Sequence, residues 1–456
     1  MRIARGLPVV GGVTLTICAA SVAAQDANYW HLQYGPVAQL LGGQVIASSR
    51  DLSATFYNPG ALALEEGDTF LLSTESVQLE TYSTTSDSDV QLFDTSSTRF
   101  GTAPTLVAGN LPRRWLGEET RLAWSFLTRQ KLEVQLGQRL DDPFDLPGGE
   151  SATELYLDQE INESWAGFTV SRALSETLGV GLTLYGIYRG QHSRSELNVL
   201  AVSADQAALT SVGVTDFRYY HFRALAKLGV AWERGDLRLG LNLTTPSARL
   251  FGSGEAGYTL SLAGADADGN GIPDPPVLRS QTGKGLPARY KSSWAIGGGL
   301  AWSRGATRWH ASAEWFAPVD RFNVVDLPGA DPERPIQLTQ QLKGVANVGL
   351  GVEHDFGNER AVYGAVLTDF SASVGDPAVN VAVSNWNLYH LSSGVKFAVA
   401  GNRFTLGATF SFGSKRRPFP STIPPEALPE AGLGSDLDVR YSRVVVLLGF
   451  LFGEGS

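Results

Sequence analysis

Residues 404–412, Phe-Thr-Leu-Gly-Ala-Thr-Phe-Ser-Phe, switch at every position between an apolar side chain and a small or polar one. A strand turns successive side chains to opposite faces, so Phe404, Leu406, Ala408, Phe410 and Phe412 share one face and Thr405, Gly407, Thr409 and Ser411 the other. The pattern recurs down the chain. Leu237, Leu239, Leu241 and Leu243 alternate with Arg238, Gly240, Asn242 and Thr244, and Ala346, Val348, Leu350 and Val352 alternate with Asn347, Gly349, Gly351 and Glu353. Such strands suit a sandwich core. They equally suit a barrel with lipid outside and water inside.

The N-terminus points to the cell envelope. Arg2 and Arg5 precede an uncharged stretch from Gly6 to Ala24 that ends in Val22-Ala23-Ala24 before Gln25, the layout of a secretory signal over residues 1–24. The bulky Ile17 before Cys18 fits a lipoprotein cleavage site badly. Met1 and Cys18 are the sole methionine and cysteine, so the processed chain is expected to hold together without disulfides. Loss of Arg2 and Arg5 leaves 34 basic residues of the original 36 against 46 acidic ones, moving the net charge from −10 to −12. That balance argues against nucleic acid as a partner.

After residue 24 no apolar run reaches the ~18 residues that a membrane helix requires. Mean hydropathy near zero, 51 glycines and ten tryptophans suit an outer-membrane barrel instead, where about ten residues cross the bilayer. A soluble multidomain β-sandwich protein would need domain boundaries, and none is evident.

Residues 25–67 lack sustained alternation and form a separate N-terminal segment, with the barrel over 68–456. About fourteen antiparallel strands are predicted. Their spans are 69–82, 103–112, 121–139, 153–174, 179–200, 214–234 and 236–250. The others are 286–303, 307–325, 336–356, 360–375, 382–399, 403–414 and 437–452. Connections alternate in length. Glu233-Arg-Gly-Asp236 and Gly357-Asn-Glu-Arg360 are short, whereas 251–285 and 414–436 are long. Short periplasmic turns and long external loops have this asymmetry. Pro112–Glu119 is long for a periplasmic turn. Trp294 and Trp302 bracket Ile296 and Leu300, as an aromatic girdle at each interface requires.

Residues 40–67 contain Asp51, then Ser53-Ala-Thr55, the pair Phe56-Tyr57, and the box Asn58-Pro59-Gly60-Ala61-Leu62 leading into the first strand. This segment resembles the N-terminal plug of the FadL/TodX family of outer-membrane carriers of long-chain fatty acids and hydrocarbons. The family pattern is Asn-Pro-Ala-Gly-Leu, so Gly and Ala are exchanged here. The resemblance implies an all-β, fourteen-stranded transmembrane barrel with an N-terminal hatch in its lumen. It also implies uptake of a fatty acid or hydrocarbon. Bottom-up, fourteen strands lie near the channel-forming end of barrel sizes, so a stopper of some forty residues has a reason.

Apolar inward positions such as Ile187, Leu225 and Phe316 suit a hydrophobic passenger. If that passenger is a carboxylate, Arg223, Lys227, Arg238 and Lys396 are the candidate inward cations, and pairing with Glu314 or Glu353 is the plainer expectation for them. No other cofactor is expected, but Asp266-Ala-Asp-Gly-Asn-Gly-Ile-Pro-Asp274 matches the start of a calcium loop. Asp266, Asp268, Asn270 and Asp274 would offer side-chain oxygens and Ile272 its carbonyl, while Val277 stands where an EF-hand has Glu. Lys415-Arg416-Arg417 is positioned to meet the phosphates of outer-leaflet lipopolysaccharide. Two other functions remain open at this point: a porin-like channel for small polar solutes, and a lipid hydrolase using His310 and Ser312, which share a strand face.

Overall fold

In the computed structural model the described residues are 27–64, 68–86, 95–112, 117, 119–142, 148–204, 206–266, 272–328, 336–374, 386–399, 402–418 and 436–453. Seven strands follow one another as antiparallel neighbours: β1 (Asp68–Ser86), β2 (Thr95–Leu111), β3 (Thr120–Asp141), β4 (Glu150–Ser175), β5 (Leu178–Val202), β6 (Ala208–Arg234) and β7 (Leu237–Thr244). The wall continues through β10 (Ala295–Arg304), β11 (Thr307–Phe316), β14 (Val345–Gly357), β15 (Arg360–Asp369), β16 (Leu388–Val399), β17 (Asn402–Pro418) and β18 (Asp436–Gly453). Pairs such as Leu71 with Leu451 join β1 to β18 and close a fourteen-strand barrel.

Alternation decides which way each strand faces. Leu239, Leu241 and Leu243 on β7, and Val348 and Leu350 on β14, are exposed on the outside of the barrel. Asn242, Thr244 and Asn347 on the same strands are buried inside. A hydrophobic exterior this continuous belongs against acyl chains. Trp294 packs edge-on against Trp315 at one end of the belt, and Trp302 lies opposite Trp309 at the other; all four are exposed. The eight residue steps from Trp294 to Trp302 span about 27 Å along the strand at ~3.4 Å each, roughly 21 Å of height at a tilt of about 40°, close to the ~25 Å of an outer-membrane apolar band. The short connections are tight turns, with Gly235 and Gly305 at φ of 59° and 60°, a conformation glycine adopts without penalty.

The other four strands correct the predicted spans. Residues 307–325 do not form one strand: β11 stops at Phe316, and Pro318, which has no N–H to give a ladder, precedes β12 (Val319–Leu327). Residues 336–356 likewise divide at Lys343-Gly344 into β13 (Ile336–Leu342) and β14. β12 and β13 pair only with each other in the sheet topology, and Val324, Val325, Leu327 and Leu338 bury against Phe217 and Tyr219 of β6. The span assigned to a long loop, 251–285, contains most of a hairpin of β8 (Ala248–Ala263) and β9 (Val277–Pro287), which continues the wall beside β6. One side of the barrel is therefore far taller than the other: β4, β5 and β6 have 26, 25 and 27 residues, while β7, β10 and β11 have 8, 10 and 10.

Residues 27–64 carry two short helices, α1 (Pro36–Leu40) and α2 (Ala54–Tyr57), and a 3-10 turn at Ala61–Leu64. Leu32, Leu40, Leu41, Val45, Leu52 and Leu62 share one buried cluster with inward side chains of the wall, among them Leu71, Leu127, Tyr185 and Leu447. The barrel's core lies between this segment and its inner surface.

Candidate functional site

Glycines let the N-terminal segment lie directly on the wall. A Cβ on Gly240 of β7 would stand 2.2 Å from the Ile46 carbonyl oxygen, and one on Gly299 of β10 would stand 2.7 Å from the Ala47 nitrogen. Gly179 and Gly181 of β5 meet the carbonyl oxygens of Gly60 and Pro59 at 2.2 and 2.3 Å in the same construction, and Gly449 of β18 meets Pro36 at 2.4 Å. The inward glycines of β5, β7, β10 and β18 thus contact the segment from around the barrel. Main chain packed on main chain leaves no room for a side chain.

Asn58 fastens the same contact. Its Nδ2 donates to the carbonyl oxygens of Ile46 (2.8 Å) and Val230 of β6 (2.9 Å), and its Oδ1 accepts from the Gly60 N–H (3.1 Å). Gly60 explains the exchange within the Asn-Pro box, because a Cβ there would sit 2.6 Å from the Gly229 carbonyl oxygen and 2.7 Å from that of Gly179. An alanine has no place at this position. Asn58, Pro59 and Gly60 are therefore brought together against β5 and β6.

Further ties flank this contact. Asp369 Oδ1 accepts from the Trp30 N–H at 3.0 Å, and Asn28 Nδ2 donates to the Asp369 carbonyl oxygen at 2.8 Å. Ser48 Oγ pairs with His310 Nδ1 at 2.7 Å, and Arg50 bonds Glu233. His310 thus turns its Nδ1 to the segment and not to Ser312, whose hydroxyl has no hydrogen-bond partner among the described residues. Burial raises the carboxyl pKa of Asp51 above its ordinary value, although Ser53 donates a backbone hydrogen bond to it. Burial, reinforced by the Arg443 guanidinium, lowers the His31 ring well below its usual value.

Between residues 29–57 and the wall lies a cleft walled by Tyr29, Trp30, Phe56, Tyr57, Trp165 and Phe316. It has about 560 Å³ of empty space counting its open mouth. Tyr29 stacks on Phe316 with ring centres 3.9 Å apart. The polar groups of the lining include Arg129, Lys227, Asn242 and Glu314. The aromatic lining was not anticipated from the sequence. Inward glycines two residues apart (179/181, 297/299, 349/351) were the sequence signal for a tightly fitted segment.

The four predicted cations separate into different surroundings. Arg223 and Lys227 both face inward from β6 and are buried, as expected. Arg223 Nη2 donates to Glu163 Oε1 at 2.7 Å, Arg189 Nη1 donates to Glu163 Oε2 at 2.9 Å, and both guanidiniums lie over the Tyr290 ring. Lys227 instead lines the cleft, with Nζ 3.9 Å from Glu314 Oε1 and 4.4 Å from the centre of the Phe56 ring. Arg238 Nε pairs with Glu233 Oε1 at 3.3 Å. Lys396 faces Ala361 and Thr405 on the neighbouring strands. Ile187, Leu225 and Phe316 are buried and inward. Of the calcium loop, Asp268 and Asn270 lie outside the described residues, and the Asp274 N–H donates to the Ala265 carbonyl oxygen at 2.6 Å. The side chains of Arg416 and Arg417 also lie outside the described residues.

No family model matches the chain, and no curated protein does. Solved structures do. A FadL homologue from Pseudomonas aeruginosa aligns with a TM-score of 0.63 and 13% identity, over 93% of this chain and 99% of its own. The toluene transporter TodX of Pseudomonas putida gives 0.58 and 13%, over 92% and 98%. The toluene transporter TbuX of Ralstonia pickettii gives 0.51 and 13%, over 92% and 98%. With its apolar belt, its paired tryptophans and its closed ring of strands, the chain is an outer-membrane β-barrel with the FadL/TodX fold.

Proposed function

We propose that this barrel takes up hydrophobic molecules, a fatty acid or a hydrocarbon among them, and that residues 27–64 serve as its hatch. One observation carries the proposal: the N-terminal segment is pressed glycine-to-backbone against the inner wall, and a cleft lined by aromatic rings lies between the two. A channel for small polar solutes works best with an open, wet lumen, whereas a hydrophobic passenger needs apolar surface next to a barrier. The buried apolar cluster between segment and wall favours the second. Hydrolysis at Ser312 has no support from its geometry, because His310 is engaged by Ser48.

The test uses a Gram-negative host with and without the chain. Faster accumulation of labelled toluene, decane or oleate, together with silence of the purified barrel in planar bilayers, is the expected result. Steady open-channel conductance with no gain in accumulation would overturn the proposal in favour of a porin.

A further inference from the structure

Lys227 is the anomalous group of the cleft. Its residue is 4% exposed, yet Nζ makes no hydrogen bond among the described residues; its nearest carboxylate oxygen, Glu314 Oε1, is 3.9 Å away. Glu314 is itself held in place, because its Oε2 accepts from Trp30 Nε1 at 2.8 Å. A donor without an acceptor among the described residues and a carboxylate oxygen thus face one another 3.9 Å apart. The gap opens on the cleft, which both residues line. An amine presented to the cleft without a protein acceptor favours a guest that brings an oxygen.

The spacing limits what that guest can be. One oxygen at about 2.8 Å from each atom spans the gap at an angle near 90°, accepting from Nζ and donating its own hydrogen to Oε1. A hydroxyl does both. A carboxylate can accept from Lys227 but brings a second negative charge beside Glu314, and a bare hydrocarbon leaves both groups unanswered. The remaining lining is largely aromatic, with Phe56 under the amine and the Trp30 indole N–H bonded to the carboxylate. The enclosed part of the cleft is tighter than the ~150 Å³ cavity in which benzene fits, so it suits a compact guest whose ring extends towards the open mouth.

We propose that Lys227 and Glu314 form a hydroxyl-reading pair, and that the preferred passenger is a compact aromatic alcohol or phenol over the bare ring or the aromatic acid. This rests on the uptake reading above and adds to it the class of molecule selected. Sites that hydrogen-bond a hydroxyl discriminate against analogues lacking it far more strongly than apolar pockets discriminate by size.

The experiment uses three probes of closely similar shape: p-cresol, toluene and p-toluate. Each is titrated by equilibrium dialysis, and by quenching of tryptophan emission, against the full-length barrel in detergent. p-Cresol is expected to bind at least tenfold more tightly than either of the others, with Lys227→Met lowering its affinity to the level of toluene. Equal affinity for p-cresol and toluene overturns the hydroxyl pair and leaves the uptake reading intact. Tightest binding of p-toluate also overturns it, assigning Lys227 to carboxylates. If no probe binds, the pair is refuted; uptake is refuted with it only if toluene, decane and oleate also fail to accumulate in cells. The wild-type comparison needs no variant, so a misfolded Lys227→Met protein does not rescue the proposal.

Discussion

Gly240→Val tests the fit between segment and wall. An ordinary carbon–oxygen contact lies at roughly 3.3–3.6 Å, and the new Cβ would lie 2.2 Å from the Ile46 carbonyl oxygen, 2.7 Å from its carbon and 2.8 Å from the Ala47 Cα. All three are backbone atoms, so no side chain can rotate away, and the segment must retreat by about 1 Å to restore contact distance. That retreat also stretches the 2.9 Å bond from Asn58 Nδ2 to the Val230 carbonyl oxygen of β6. Overpacking costs about 1–3 kcal/mol and a lost hydrogen bond about 1 kcal/mol. The sum of about 2–4 kcal/mol shifts the balance between seated and displaced segment by roughly 30- to 1000-fold. The barrel itself is expected to survive, since valine favours strands. The assay is single-channel recording in planar bilayers, where the variant is expected to show openings that the parent lacks. Gly298→Val is the control, because its Cβ would meet only Leu241 Cδ2 at an ordinary 3.6 Å. Identical silence from Gly240→Val and the parent, at equal folded yield, would falsify the glycine argument.

Other expectations follow from single contacts. Asn58→Ala removes one hydrogen bond to the wall and two that shape the segment, and is expected to raise channel openings by about 1–3 kcal/mol of lost seating energy; unchanged recordings would contradict it. Glu163→Ala strips the shared carboxylate from buried Arg189 and Arg223 and is expected to cost about 3–5 kcal/mol in thermal unfolding, whereas exposed Arg139→Ala leaves the melting curve in place. The lowered pKa of His31 means the seated segment favours the neutral ring. Its contribution is then present above the unperturbed value of about 6.5 and is lost as pH falls below that towards the seated-state pKa. Openings should rise on acidification, and less so in His31→Gln; equal slopes in the two proteins would refute this. The raised pKa of Asp51 has the opposite sense, since stability is full below the ordinary carboxyl value and lost as pH rises. Asp51→Asn should therefore raise the melting temperature at pH 7, and a fall there would refute it. Calorimetric titration of calcium is expected to show weak binding that Asp266→Asn removes, and heat unchanged by that substitution would dispose of the loop at 266–274.

Much of the wall was legible from alternation alone, because lipid outside and a packed lumen inside impose opposite demands on adjacent residues. Leu241, Leu350, Trp294 and Trp302 all face as their spacing predicts. The failures have a common cause. β12 and β13 continue the period of β11 and β14, so periodicity ran straight through Pro318 and Gly344 although the chain leaves the wall at both places. β8 and β9 lie in and beside a Gly- and Asp-rich span whose turn residues outweighed a real alternation. Asn58-Pro59-Gly60 was identified as a unit, but the need for glycine at 60 rests on oxygens of β5 and β6 far away in sequence. Arg223 and Lys227 share a face in both views. Only the fold shows that one is tied to Glu163 and the other stands at an aromatic cleft.

The unequal wall has a consequence for how a molecule reaches the mouth. From Gly190 to Val202 strand β5 climbs roughly 40 Å beyond the lipid-facing Tyr188. Its outward side chains include His192, Arg194, Glu196, Leu200 and Val202, while inward Gln191, Ser193, Val199 and Ala201 are buried. It is a lean-to of mixed polarity, open on one flank where the opposite strands stop short. On the uptake proposed above, a passenger approaching from the low flank meets the inner face of this tall wall before it reaches the mouth.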